Sequence, residues 1–201
     1  MIFPVQYTPW HDEAWGAELE WEGIGYVEDK DAATIDYDDL LKDMQRDTRA
    51  ESRARVDQGY ESLALVGWAE APSYDDVNKQ LHWALELKFG ESDENTLNYE
   101  LRSLGRKGTL NTNFIGKLSH LEEIKAALPE VAGMVSFQTG QSYADFDPSL
   151  DSVAAVGIAG LIAGKVAGKA GFLAAGLLLL KKFWFVLLLP LAGLNRMFGR
   201  R

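Results

Sequence analysis

The last quarter of the chain sets the strongest constraint. Apart from four lysines, Trp184 and Pro190, residues 153–194 are all Ala, Val, Gly, Leu, Ile or Phe. A helix needs roughly 20 apolar residues to cross a ~30 Å hydrocarbon core. Residues 153–180 supply that length, interrupted by Lys165 and Lys169 and closed by Lys181 and Lys182. Residues 183–194 reach only about 18 Å as a helix, and Pro190 breaks their hydrogen-bond ladder. The sequence therefore predicts a membrane anchor over 149–201, with a spanning helix at about 153–180. A second embedded or interfacial segment follows at about 183–198.

Two arrangements of this tail fit. In the preferred one a single helix crosses, Lys181 and Lys182 sit at the far interface, and the aromatic stretch around Trp184 anchors there. In the other, the two halves form a hairpin folded at Lys181 and Lys182. The first places Lys181, Lys182, Arg196, Arg200 and Arg201 on one side, as the positive-inside rule asks. A buried hairpin in a soluble protein is the weakest alternative, because the leucine run is continuous rather than amphipathic.

Charge divides the chain at the same place. Residues 1–150 carry 13 Lys and Arg against 29 Asp and Glu, a net of −16, whereas residues 151–201 carry a net of +6. An acidic front and a basic, apolar tail do not share one core, so an extramembrane domain is predicted over 1–148. Its charge repels a phosphate backbone and excludes nucleic acid as its partner. The absence of cysteine excludes disulfide scaffolds, cysteine nucleophiles and thiolate metal sites. Met1-Ile-Phe-Pro-Val shows neither the basic start nor the apolar run of a signal peptide.

The acidic part reads as an α+β domain with a mainly antiparallel sheet and two helices. Leu81, Trp83, Leu85, Leu87 and Phe89 alternate with polar or small residues, the period of a half-buried strand. Leu97, Tyr99 and Leu101 form a second, and Gly105-Arg-Lys-Gly108 turns into a third through Leu110, Thr112 and Phe114. Glu18, Glu20 and Glu22 alternate with Leu19 and Trp21, with a bulge near Gly23 before a further strand at Tyr26 and Val27. Residues 63–69 are uniformly apolar and predict a central strand. One helix is expected over 37–56, capped by Asp36. Another begins at Ser119-His-Leu-Glu122, a capping-box pattern, and Pro129 is expected to kink or split it.

Four stretches resemble an uncharacterised family of membrane-anchored bacterial proteins, a domain of unknown function. They are Gly25-Tyr-Val-Glu-Asp29; Val66-Gly-Trp-Ala-Glu-Ala-Pro-Ser-Tyr-Asp75 with Leu81-His-Trp-Ala84; Asn98-Tyr99 with Leu104-Gly-Arg106; and Gly140-Gln-Ser-Tyr-Ala-Asp-Phe146. The resemblance covers most of the chain and implies no activity. It does imply members longer at the N-terminus, with a signal peptide.

Catalytic candidates are sparse. His82 and Glu86, at i and i+4 of one strand, suit a metal or a proton shuttle, but a solvated sheet face is the simpler reading. His120 follows a helix cap and is expected exposed. His11-Asp12-Glu13 is a local acidic cluster whose groups cannot all face one ion. Asp36, Asp38, Asp39, Asp43 and Asp47 read as a solvated helix face, and Glu91-Ser-Asp-Glu-Asn95 as a hairpin loop. Trp68, Trp83, Tyr74 and Tyr99 suggest one aromatic cluster. No catalytic, cofactor-binding or metal site is assigned.

The tail carries the remaining candidates. Gly157, Gly160, Gly164, Gly168 and Gly171 give small-xxx-small spacing that lets membrane helices pack closely. Lys165 and Lys169 share a helix face and either snorkel to the interface or line a pore. The expected molecule is a membrane-anchored envelope scaffold or assembly protein, homo-oligomeric and without catalysis, its partners being the bilayer and its own copies. The alternatives are a channel subunit lined by Lys165 and Lys169, or a tethered ligand-binding domain. The resemblance implies a bacterial inner membrane, and the charge pattern sets the expected orientation, acidic domain periplasmic and C-terminus cytoplasmic.

Overall fold

Period-two alternation becomes strand where the sequence predicts it. The computed structural model describes residues 1–8, 11 and 13–165. In it β1 (Gly16–Glu22), β2 (Leu63–Asp75), β3 (Gln80–Phe89), β4 (Thr96–Gly105) and β5 (Gly108–Lys117) form one antiparallel sheet ordered β1-β5-β4-β3-β2. The β4–β5 turn is the expected Arg106-Lys107, with Gly105 paired to Gly108.

Two strand expectations are corrected. β2 is an edge strand, not a central one. Its apolar run suggested burial on both faces, yet Leu65 is buried while Val66 is exposed. Its ladder to β3 shifts register three times, as edge strands often do. Tyr26 and Val27 form no second strand before the first helix; Tyr26 makes one parallel bridge, to Val153.

Helix α1 (Tyr37–Asp57) starts as expected, with Asp36 Oδ1 accepting from the Asp38 and Asp39 amides at 3.0 Å. None of its residues is fully buried. It is tied to β2 by polar contacts: Gln45 Nε2 donates to the Val66 carbonyl at 3.0 Å, Trp68 Nε1 to the Tyr37 carbonyl at 3.3 Å, and the Leu63 amide to Ser52 Oγ at 2.9 Å. Its Lys42–Asp39 and Arg46–Asp43 pairs are exposed and contribute little.

Helix α2 (Leu121–Gly133) begins differently from its sequence signature. A 3-10 turn, Leu118–His120, precedes it. His120 Nδ1 accepts the Lys117 amide at 3.1 Å, while Ser119 Oγ is turned to Glu94 Oε1 at 2.7 Å. His120 is thus buried, not exposed. Pro129 does not split the helix; buried Ile124 and Val131 hold it to the sheet on either side.

Parity places the core. Ala17, Ala84, Leu97, Tyr99, Leu101 and Phe114 share the face that packs on α2 and Trp15. Trp83, directly opposite Glu100, points to the other face, so the expected cluster of Trp83 with Tyr99 does not form. Tyr99 instead meets Phe114 edge-on, with ring centroids 6.3 Å apart.

The expected helix from about residue 153 is corrected over its described part. Val153 is held by the bridge to Tyr26, and the helix α3 covers only Ile158–Ile162. The Asp31 carboxylate accepts the Ile158 and Ala159 amides at 3.1 and 3.2 Å and fixes its start. Gly164, at φ +67°, follows its end. Ile158, Leu161 and Ile162 are buried, and residues 149–165 belong to the compact unit Met1–Lys165. Among the described residues no helix is long and apolar enough to cross a membrane. Lys169, Gly168, Gly171, Lys181, Lys182, Trp184, Arg196, Arg200 and Arg201 lie outside the described residues.

Two glycines separate crowding from open space. A Cβ on Gly108 would sit 2.0 Å from the Glu22 carbonyl oxygen, whereas one on Gly67 meets nothing within 4 Å. Gly108→Ala is expected to cost about 3 kcal/mol in chemical denaturation. Gly67→Ala is expected to be neutral or to add a few tenths.

Candidate functional site

Three segments distant in sequence converge where β2 ends, β3 begins and β4 turns into β5. The first is the backbone around Tyr26. Its amide donates to the Ser152 carbonyl and the Ala154 amide returns to the Tyr26 carbonyl, both at 2.8 Å. Gly25 is required beside it: φ is +94°, and a Cβ would lie 2.8 Å from the Ser152 carbonyl oxygen. The Tyr26 ring stacks on Tyr143 at 4.4 Å and on Phe146 at 3.9 Å. Tyr143 Oη donates to the Val27 carbonyl at 2.9 Å.

Asp29 lies three residues on. Its Oδ2 accepts from Tyr74 Oη at 2.6 Å and from Lys79 Nζ at 2.8 Å. Lys79 adopts φ +53°, a conformation costly for a residue with a Cβ. From there its ammonium reaches Asp29 and, at 2.5 Å, Asp76, and lies 5.0 Å from the Tyr143 ring centre. Burial pushes the Asp29 carboxyl up, but hydrogen bonds from Lys79 and Tyr74 outweigh it and hold the group below the usual aspartate range. Hydrogen bonds to Asp29 and then Asp76 raise Lys79 to about 12. Burial, then the hydrogen bond to Asp29, drives the Tyr74 phenol far up. At neutral pH the group is therefore a carboxylate, an ammonium and neutral phenols.

An open cleft of about 690 Å³ borders this group, lined by Asp29, Lys30, Tyr37, Pro72, Tyr74 and Asp76. On the other side Arg106 closes the end of the sheet. Its Nε donates to Asp151 Oδ2 at 2.6 Å and its Nη1 to the Gly140 carbonyl at 3.1 Å. The Asp151 side chain is fully buried, and the Arg106 hydrogen bond holds it below the ordinary aspartate range.

The histidine candidates are placed elsewhere. His82 does not pair with Glu86, which accepts from Asn95 Nδ2 at 2.5 Å. Instead His82 Nδ1 lies 2.9 Å from Tyr99 Oη, which donates to Glu70 Oε1 at 3.3 Å; Lys125 pairs with Glu70 Oε2 at 2.7 Å. This chain satisfies the buried Tyr99 hydroxyl on the α2 side of the sheet. His11 accepts the Glu13 amide at 3.1 Å, and His120 Nε2 lies 3.3 Å from Glu13 Oε2. Among the described residues, no three His, Asp or Glu converge as metal ligands.

The described tail candidates are structural parts of the folded unit. Gly157 abuts Asp31, where a Cβ would lie 2.7 Å from Oδ2, and one on Gly160 would lie 2.6 Å from Val156 Cβ. Lys165 Nζ is 3.7 Å from Asp47 Oδ2 on α1. Sequence reasoning passed over Asp29, Lys79 and the Arg106–Asp151 pair as a site. Asp29, Tyr74, Arg106 and Tyr143 nevertheless stand within the four stretches quoted above, and only Lys79 and Asp151 had no signal.

Residues 1–192 match a family model described as a Protein of unknown function (DUF2167). The chain belongs to this family. No curated protein and no solved structure matches it. Among the stretches that carried the resemblance, Gly25, Tyr26, Arg106 and Tyr143 fasten segment 140–154 and Gly25–Asp29 to the end of the sheet, whereas Glu70, His82 and Tyr99 form the chain on the α2 side.

Arg106→Met should destabilise the fold, because it leaves the Asp151 carboxylate with only the Asp147 amide and Lys107, 3.6 Å away; denaturant titration reads this. Asp29→Asn should cost about 1–3 kcal/mol at pH 7. Because the folded Asp29 pKa is depressed, its contribution is present above the unfolded aspartate value and lost as pH falls through the folded one. The gap between wild type and Asp29→Asn should therefore close below about pH 4.

Proposed function

We propose that this protein is a membrane-anchored envelope scaffold or assembly protein, homo-oligomeric and without catalysis. The observation that carries the reading is the use made of the family-bearing residues. Arg106, Gly25, Tyr26 and Tyr143 hold backbone segments together. Charge segregation supports the anchor: an acidic folded unit ends at Lys165, and the sequence beyond it is apolar and basic. The positive-inside rule favours an inner-membrane protein with the acidic unit periplasmic and the C-terminus cytoplasmic. The oligomer reading rests on the small residues beyond the folded unit, where Gly168 and Gly171 stand three apart; Gly160 and Gly164 pack within or end α3 and do not carry their four-residue spacing into that segment. The pore reading draws no support from Lys165, which faces Asp47.

The cleft beside Asp29 favours a second reading, a tethered ligand-binding domain. The mass of the full chain in mild detergent tests the first: a defined assembly larger than one chain is expected, and a monomer at high concentration overturns it. Saturation-transfer measurements with small polar molecules test the second. Contact with the Tyr37 and Tyr74 rings supports a ligand site, and its absence across the set argues against one.

A further inference from the structure

The sheet face opposite α2 holds an acid with no ion-pair partner. Glu100 stands in the middle of β4, directly between Trp83 on β3 and Asn113 on β5, with Asn98 and Arg102 two positions away on its own strand. Its Oε2 is shut off from solvent and has no hydrogen-bond partner; the same holds for Asn98 Oδ1 and Asn113 Oδ1. Three orphan acceptors on neighbouring positions of one sheet face are costly, because each loses its water without replacement. Cross-strand and i±2 neighbours on one face are within side-chain reach of each other.

The nearby cation is already committed. Arg102 Nη1 donates to Glu22 Oε2 at 3.0 Å, both side chains being nearly buried, and the guanidinium lies 5.6 Å from the Trp83 ring centre. The orphan donors Trp83 Nε1 and Arg102 Nε do not reach Glu100 Oε2. The charged groups acting most strongly on Glu100 are Arg102 on its own strand and Glu22 from β1; β1 also presents Glu18 opposite Asn113 and Glu20 opposite Asn111 on this face, adding negative charge and no cation. From β3 this face presents Trp83 and Leu85, and from β5 Asn111 and Asn113, none of them charged. An ionised Glu100 would leave two carboxylates sharing one guanidinium in a poorly solvated layer.

We propose that Glu100 binds a proton in the folded protein near neutral pH and donates it from Oε2 to a side-chain oxygen of the flanking asparagines. One proton converts an orphan acceptor into a donor and satisfies a second acceptor at the same time. Burial, with Glu22 adding to it and Arg102 opposing it, lifts the carboxyl to about 7. The folded pKa is raised, so this stabilisation is complete below the unfolded glutamate value and disappears as pH rises through the folded one. Glu100 thus makes the fold sensitive to pH in a window where ordinary carboxylates are already ionised.

Glu100→Gln places a permanent donor at the same position, and with the wild-type full chain in mild detergent it gives two readouts. Infrared spectra at pH 6 should show a protonated-carboxyl stretch in the wild type that fades by pH 8 and is missing from Glu100→Gln. Denaturant titrations should show the ratio of wild-type to variant unfolding constants rising on the order of a hundredfold between pH 5 and pH 8. A pH-independent ratio overturns the proposal. So does the absence of the infrared band from the wild type at pH 6, which decides the question even if the variant does not fold.

Discussion

A buried carboxylate fastens the segment after residue 140 to the end of the sheet. Asp151 is wholly out of solvent, and its charge is met by Arg106 at 2.6 Å and Lys107 at 3.6 Å, both in the turn between β4 and β5, with the Asp147 amide donating to it as well. A buried carboxylate needs such partners, so its place at the turn is closely specified. It specifies which residues lie against the end of the sheet. Once residue 151 is seated, Ser152 and Ala154 stand beside Tyr26, and the ladder between them forms. That ladder sets Gly25–Asp29, which brings Asp29 to Tyr74 and Lys79. Two residues on, Asp31 receives the first amides of α3. A chain of polar contacts thus runs from the β4–β5 turn to residue 162.

This arrangement bears on what the molecule does. Its charged residues at the sheet end are engaged with one another, and tyrosines there are kept neutral. What stays open is the cleft beside Asp29, whose walls mix two tyrosines with acidic groups. The acidic unit and the basic, apolar sequence after it divide the labour in the proposed account, one part displayed and the other embedded.

Much of the sheet was legible because period-two alternation has a direct physical cause. Strands β3, β4 and β5 and their turn follow from it, and Asp36 announces α1 through its capping chemistry. Misreadings arose where tertiary contacts outweighed local pattern. The apolar run of β2 reads as central, but the strand lies at the sheet edge, where Leu65 is buried and Val66 is exposed. Ser119 has the spacing of a cap, yet Glu94 claims its hydroxyl and His120 serves the turn. The apolar sequence from 153 reads as the start of a long helix. Asp31, 127 residues before Ile158, decides instead where helix begins, and no local signal carries that information. The candidate site was half visible: its aromatic and charged residues stood in the family-bearing stretches, but their pairing required the fold.

Hydrogen exchange of the full chain in mild detergent tests most directly whether residues 151–162 are an integral part of the folded domain. The account predicts that the amides of Tyr26, Ala154, Ile158 and Ala159 exchange only with the opening of the folded unit, like those of β4. Exchange of these four at the rate of an exposed loop, with β4 still protected, would contradict it.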